Sequence, residues 1–239
     1  MNDFVFSLPD RLGVAQLHWL ALTCVAYGLA LRVYRRSGGN PFFLPVLVAV
    51  LIVLGVLWLT DTRYSSYQAG NQLLVWLIGP VTVALAVPLY VHLSRLRAVW
   101  LPVLLALIAG AVTAVVATIA IAWVLGAERL TWASLAPKSL TMPIAMDVAD
   151  LAGGIAALAS IGVALTGIFS AMVAGRLFNF MGIADPRTVG FSLGLTAHAI
   201  GVARAFQLNE TAGAFAALAM GLHAIFGAIL IPLIFGFLG

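Results

Sequence analysis

The chain has 239 residues, 63% of them hydrophobic and 8% charged, with a mean hydropathy of +1.12. No soluble globular domain has that balance; the chain reads as an all-α polytopic membrane protein, a single integral membrane domain over 1–239. A net charge of +4 does not indicate nucleic acid, because the arginines gather at helix ends rather than on one basic face.

In chain order, Leu12–Leu31 is the first expected span. It stops at Arg32, Arg35 and Arg36, while Asp3 and Asp10 lie before it. The positive-inside rule puts that arginine cluster in the cytoplasm and the N-terminus outside. The acidic N-terminal stretch does not read as a cleavable signal. Cys24, the single cysteine, excludes an internal disulfide. After a break at Ser37–Pro41, Phe42–Leu59 returns outward and ends in an interfacial cluster with Trp58, Arg63 and Tyr64. Leu73–Leu93 goes back in, interrupted by Pro80 and Pro88, and Arg95 and Arg97 mark the inside. Trp100–Gly126 is an unbroken span outward. Ile155–Arg176, Val189–Phe206 and Ala212–Leu238 follow as further spans. The total is about seven transmembrane helices plus one re-entrant or broken segment.

That segment is Leu135–Val148, too short and too interrupted for an ordinary span. Pro137 opens it and Pro143 breaks it, because proline has no N–H and clashes with the carbonyl four residues back. Lys138, the only lysine, Ser139 and Thr141 precede the break and Asp147 follows it. A lysine at membrane depth costs roughly 2.5–3.5 kcal/mol, so it is expected where it has a partner or reaches water. A loop at the membrane surface is the plainer alternative. Charge counting favours entry and exit on the outer side, because that keeps Arg176 and Arg187 inside with the C-terminus.

An offset of 113 residues relates Asn40 to Gly153, Pro88 to Gly201 and Gly126 to Gly239. Under this topology the related spans run in opposite directions. That is an inverted repeat with discontinuous helices, about 12–126 and 131–239, as in many secondary transporters. One broken helix is expected at Pro80 and Pro88, the other near Gly201 within Gly194–Arg204. The half-helix N-termini of such breaks suit an anion and their freed carbonyls a cation.

The candidate substrate-binding residues are Lys138, Ser139, Thr141, Thr196, His198, Arg204 and Asn40. His198 is either a site residue or a packed core histidine. Arg204 is either an anion contact or an interfacial side chain reaching for water. Asp147 and His198 are candidates for coupling a proton, and sodium would have to rely on backbone carbonyls; the coupling ion is H+ or Na+. No metal-ligand spacing, phosphate loop or nucleophile motif is present, so neither a metal, nor a cofactor, nor enzymatic activity is expected. Gly153-Gly154 and Gly162–Gly167 are small-residue surfaces suited to helix packing, and a homo-oligomer, a dimer, is expected.

Several stretches resemble the LrgB/CidB family. They are Asn40-Pro41, Pro80 with Ala84-Leu85-Ala86 and Pro88-Leu89-Tyr90, Pro137-Lys138-Ser139 with Thr141 and Pro143-Ile144-Ala145, His198-Ala199 with Gly201 and Ala203-Arg204, and Glu210 with Gly213-Ala214-Phe215. The resemblance runs from about Asn40 to the C-terminus. It implies a multi-pass protein of the bacterial cytoplasmic membrane that is either a transporter of small monocarboxylates, such as pyruvate, glycolate, glycerate or lactate, or an antiholin- or holin-like regulator of murein hydrolase activity and lysis. It also implies a small membrane partner of the LrgA/CidA type. Met142, Ala197 and Val202 stand where the family usually carries hydroxyls. That implies a less hydroxylated substrate or altered ion coupling.

Overall fold

A computed structural model of the chain describes residues 14–84, 90 and 99–237. Pro88, Arg95 and Arg97, on which one expected break and part of the charge pattern rest, lie outside the described residues. Among those described, all regular structure is helical. The chain divides into two compact units, Met1–Ala84 and Leu85–Gly239.

In the first unit, α1 (Val14–Arg36) ends with Arg35 and Arg36 in its last turn, where cations complement the helix dipole. A turn with positive φ at Gly38 and Gly39 leads to α2 (Pro45–Leu59), which packs on α1 through Ala26, Val53 and Leu57. Two further helices follow, α3 (Tyr64–Gly70) and α4 (Gln72–Ala84). Gly70 lets α3 approach Trp19; a methyl group there would lie 2.6 Å from its ring. The buried Asn71 ties this corner to α1 through Thr23, 3.0 Å from its Oδ1. Pro80 does not break α4. It sits inside the helix, where the missing N–H leaves the Trp76 carbonyl without its helical donor but the backbone continues.

The second unit contains α5 (Trp100–Val124), α6 (Arg129–Leu135), α7 (Met142–Leu151), α8 (Ala156–Phe180), α9 (Pro186–Leu208) and α10 (Glu210–Phe237). Its outer surfaces are apolar stripes at four-residue spacing: Ile161, Leu165, Phe169, Val173 and Leu177 on α8, and Ile225, Ile229, Leu233 and Phe237 on α10. Continuous exposed apolar faces of that kind suit hydrocarbon rather than water. Five helices among the described residues are long and apolar enough to cross a membrane: Leu17–Arg36 of α1, and α5, α8, α9 and α10.

One of those five does not run straight. His198, inside α9, has φ 41° and ψ −130°, and the chain reverses there. A methyl group on Gly201 would lie 2.0 Å from the Leu193 carbonyl oxygen, although a straight helix would hold residues eight apart about 12 Å from each other along its axis. Leu193 shares one buried cluster with Val202 and Ala205. The helix α9 is therefore a tight hairpin with limbs 186–197 and 199–208. Gly190 and Gly194 of the first limb abut the carbonyls of Ala212 and Ala216 on α10, a constant offset of 22 residues that makes this limb and α10 parallel. The expected span Val189–Phe206 is corrected accordingly. The expected break at Gly201 moves to His198, and Gly201 instead supplies the missing side chain that lets the two limbs close.

The segment singled out by its prolines is a second hairpin. Its limbs are α6 and α7, and its tip is the non-helical turn 136–141. The Ser134 Oγ accepts the Ile155 N–H at 2.8 Å, and Gly154 lies against the Ala133–Ser134 backbone, so the chain leaving the second limb packs beside the last turn of the first. Pro143 does not break this element. It occupies the first turn of α7, with Thr141 as N-cap, a position where a missing N–H removes nothing. At the base, Arg129 Nη2 donates to the Phe235 carbonyl at 3.2 Å. At the tip, Leu140 fills the space over Gly227. Eight residues of α10 separate those two contacts, so the hairpin reaches in by about 12 Å, less than half of a bilayer core of about 30 Å.

The two hairpins enter from opposite ends of the unit. The ends of α5 and α10 lie with the base of the α6–α7 hairpin, and the starts of α5 and α10 with the base of α9. An outward end for α5 and a C-terminus on the inner side, as expected from the sequence, cannot both hold, because α9 folds back and returns α10 to the end where α5 finishes. The glycines expected to pack helices together serve this internal arrangement: Gly154 against α6, Gly162 against Leu135, and Gly167 against the His198 ring.

Candidate functional site

The tips of the two hairpins both pack on the first half of α8, about 7 Å apart along its axis. Gly162 touches Leu135 and the Lys138 side chain, and Gly167, five residues on, makes room for the His198 imidazole. Beside these contacts lies an open-sided cavity of about 520 Å³ lined by α5, the α6–α7 hairpin, α8 and the α9 tip. Lys138 and seven hydroxyl residues line it: Thr113, Thr118, Thr131, Ser139, Thr166, Ser170 and Thr196. The Thr118 hydroxyl donates to the Ala114 carbonyl at 2.6 Å and that of Thr196 to Ser192 at 2.7 Å. Their lone pairs remain available as acceptors. The ammonium of Lys138, half-buried, has neither a carboxylate nor a hydrogen-bond partner among the described residues. A cation so placed attracts an anion, and the apolar remainder of the wall, with Ala114, Ala117, Ile121, Leu125 and Leu135, suits a short carbon skeleton.

Two buried histidines hold this geometry together. His198 Nε2 lies 3.0 Å from the Val163 carbonyl of α8; a carbonyl only accepts, so Nε2 carries the hydrogen. His223 Nδ1 lies 2.9 Å from the Leu195 carbonyl. Leu195 stands three residues before the reversal, where no N–H four residues on continues the helix, so His223 supplies the donor that a helix C-terminus lacks. Both rings act as pins on the α9 tip.

Of the residues expected to bind substrate, Lys138, Ser139 and Thr196 line the cavity. Thr141 lies beside it as the N-cap of α7 and makes no side-chain cap bond. His198 is not part of the lining; it fastens the hairpin behind it. Arg204 sits near the base of α9, where it donates to Gln207 at 3.2 Å. Asn40 belongs to the first unit, where its Oδ1 accepts the Phe42 N–H at 3.1 Å. Asp147 is exposed on α7 and is not part of the lining. Thr113, Thr118, Thr131, Thr166 and Ser170 went unnoticed in the sequence. The signal available was the four-residue spacing of Thr166 and Ser170, which puts both on one face of α8. Among the described residues no cluster of metal-ligating side chains occurs.

Paired hairpins within an apolar helical unit, closing on a cavity with a lone cation, define a multi-pass membrane protein of helical type. The chain belongs to the LrgB-like family, which it matches over residues 23–237. It is 26% identical over 220 residues to an antiholin-like protein LrgB of Bacillus mycoides (strain KBAB4), covering 92% of this chain and 96% of that protein. Against an antiholin-like protein LrgB of Bacillus cereus (strain B4264) the identity is 25% over the same shares. No solved structure matches this chain.

Proposed function

We propose that this protein is a secondary transporter of small monocarboxylates across the bacterial cytoplasmic membrane. The observation that carries the reading is the Lys138 ammonium, without a partner among the described residues, in a hydroxyl-lined cavity bordered by two oppositely entering hairpins. One cation matches one carboxylate, and the hydroxyls match the carbonyl or hydroxyl of a 2-oxo or 2-hydroxy acid. Hairpins that enter from opposite faces give a site that each face can reach in turn, the plan of an inverted-repeat carrier. Both hairpins are then re-entrant. Arg176, Arg187 and Arg204 lie at the α9 end of the unit and Arg129 at the other, so the α9 end faces the cytoplasm. The end of α10 then faces outward. Purified protein in liposomes is expected to take up labelled pyruvate, glycolate or lactate saturably. Absence of saturable uptake of all three, and of glycerate, would remove the reading.

The name carried by the relatives supports a second reading, a regulator of lysis that acts without solute selectivity. It predicts leakage of an uncharged dye on reconstitution, unaffected by Lys138→Ala.

A further inference from the structure

Besides the cavity with Lys138, the second unit has another, of about 310 Å³, at its α9 end. Val99, the N-cap of α5, and Pro102, Val103 and Ala106 of α5 line it together with Arg187, Phe191 and Ser192 of the α9 hairpin. Both cavities lie along the same pair of elements. Moving along α5, residues 99–106 line the first and residues 113–125 the second. Between them α5 carries Leu107, which shares a buried cluster with Phe191 and Leu195, and Gly110, whose Cβ position lies only 3.0 Å from Leu195 Cδ1. On the other element Ser192 lines the first cavity and Thr196, one helical turn further, lines the second. The closed stretch is thus about 10 Å long, seven residues of α5. Within it the Leu195 side chain sits directly on Gly110, and the Leu195 backbone is held in place by the His223 ring at 2.9 Å.

We infer that the groove between α5 and the first limb of α9 is a single route for the cargo, and that Leu195 seated on Gly110 is its closed barrier. The inference rests on the transport reading for the nature of the cargo only. The 310 Å³ cavity is the vestibule on the α9 side, and the Lys138 cavity opens toward the α6–α7 side. The barrier is removable without unfolding the unit, because it consists of side-chain contact on one face of a hairpin limb whose backbone is anchored elsewhere.

The test uses the full chain with Cys24, its single cysteine, replaced by serine. Ser192→Cys then reports the α9-side vestibule and Thr131→Cys the Lys138 cavity. A membrane-impermeant maleimide is applied to oriented vesicles from either side. The two cysteines are expected to react from opposite sides. Adding Leu195→Ala is expected to make Ser192→Cys react at least about tenfold faster from the side that labels Thr131→Cys, a barrier change near 1.4 kcal/mol. Leu195→Val serves if the alanine variant does not reach the membrane, with a smaller shift in the same direction. Labelling of both cysteines from one side, or sidedness untouched by both substitutions, would overturn the inference. The labelling needs no substrate. A sided pattern opened by Leu195→Ala in a chain that carries no carboxylate would leave the barrier standing and remove the monocarboxylate reading. Carboxylate uptake with both cysteines labelled from one side would do the reverse.

Discussion

An ammonium held in largely apolar surroundings needs water, a carboxylate or an anionic ligand nearby. Lys138 has no carboxylate partner among the described residues, and on the transport reading an anionic cargo supplies one. Removing it leaves the cavity and its hydroxyls intact but takes away the charge-assisted contact. Lys138→Ala is expected to weaken pyruvate binding about 10- to 100-fold, the effect of losing a hydrogen bond to a charged group, while the protein still reaches the membrane. A titration of ligand-induced thermal stabilisation measures this, and an unchanged midpoint would exclude Lys138 from the site. Asp185 gives a second expectation at this scale. It is the N-cap of α9, its carboxylate accepting the Thr188 N–H at 3.1 Å and hydroxyl at 2.9 Å and pairing with Arg187 at 3.2 Å. Desolvation works against its ionised form, but the Thr188 bonds and the Arg187 charge prevail and hold its carboxyl below the usual range. A depressed carboxyl stabilises the fold above its unfolded pKa, and that contribution is lost as pH falls through the folded value. Asp185→Ala should lower stability by about 1 kcal/mol at neutral pH, and the difference from the parent should shrink on acidification. Unfolding midpoints in detergent at several pH values check both the size and the sign.

At the scale of elements, the hairpin α9 depends on one reversal and one missing side chain. His198 takes a positive φ that a non-glycine residue adopts at a penalty of order 1–3 kcal/mol, and its ring bond to Val163 helps to hold that conformation. Gly201 sits where any Cβ would strike the Leu193 carbonyl, which is backbone and has no room to move. Gly201→Ala is therefore expected to cost more than about 2 kcal/mol. Gly175→Ala on α8, where a methyl group meets nothing within 4 Å, should be neutral or slightly stabilising, by up to about 1 kcal/mol. Equal melting temperatures for the two variants would contradict the fold-back. This element also shows what a sequence conceals. Pro186–Leu208 has the length and apolarity of a span, and no proline marks the turn; the reversal falls on a histidine whose conformation is imposed by packing. The α6–α7 hairpin was legible because proline, lysine and hydroxyl residues crowd its tip, yet Pro143 was misread as a break because its place in a first turn needs the N-cap at Thr141 to be known. The hydroxyls of α5 and α8 stayed hidden, since single threonines and serines within apolar helices satisfy themselves on the preceding turn.

At the scale of the molecule, doubling back at His198 has a consequence that can be read without a substrate. A spanning α9 would place the C-terminal end of α10 opposite the loop that follows α5. A folded one places both together, as the 3.2 Å bond from Arg129 to the Phe235 carbonyl requires. With Arg176, Arg187 and Arg204 at the α9 end, the orientation proposed from the positive-inside rule puts that end in the cytoplasm, and on that proposal the Val124–Arg129 loop and the C-terminal end of α10 both face outward. A protease site or an alkaline phosphatase fusion placed after Phe237, compared with one inserted at Ala127, should therefore report the same compartment, and an insertion near Ile183 the opposite one. Discordance between the first two positions would mean that α9 crosses the membrane. The two hairpins would then no longer enter from opposite faces, and the Lys138 cavity would lose the two-sided access that a carrier needs.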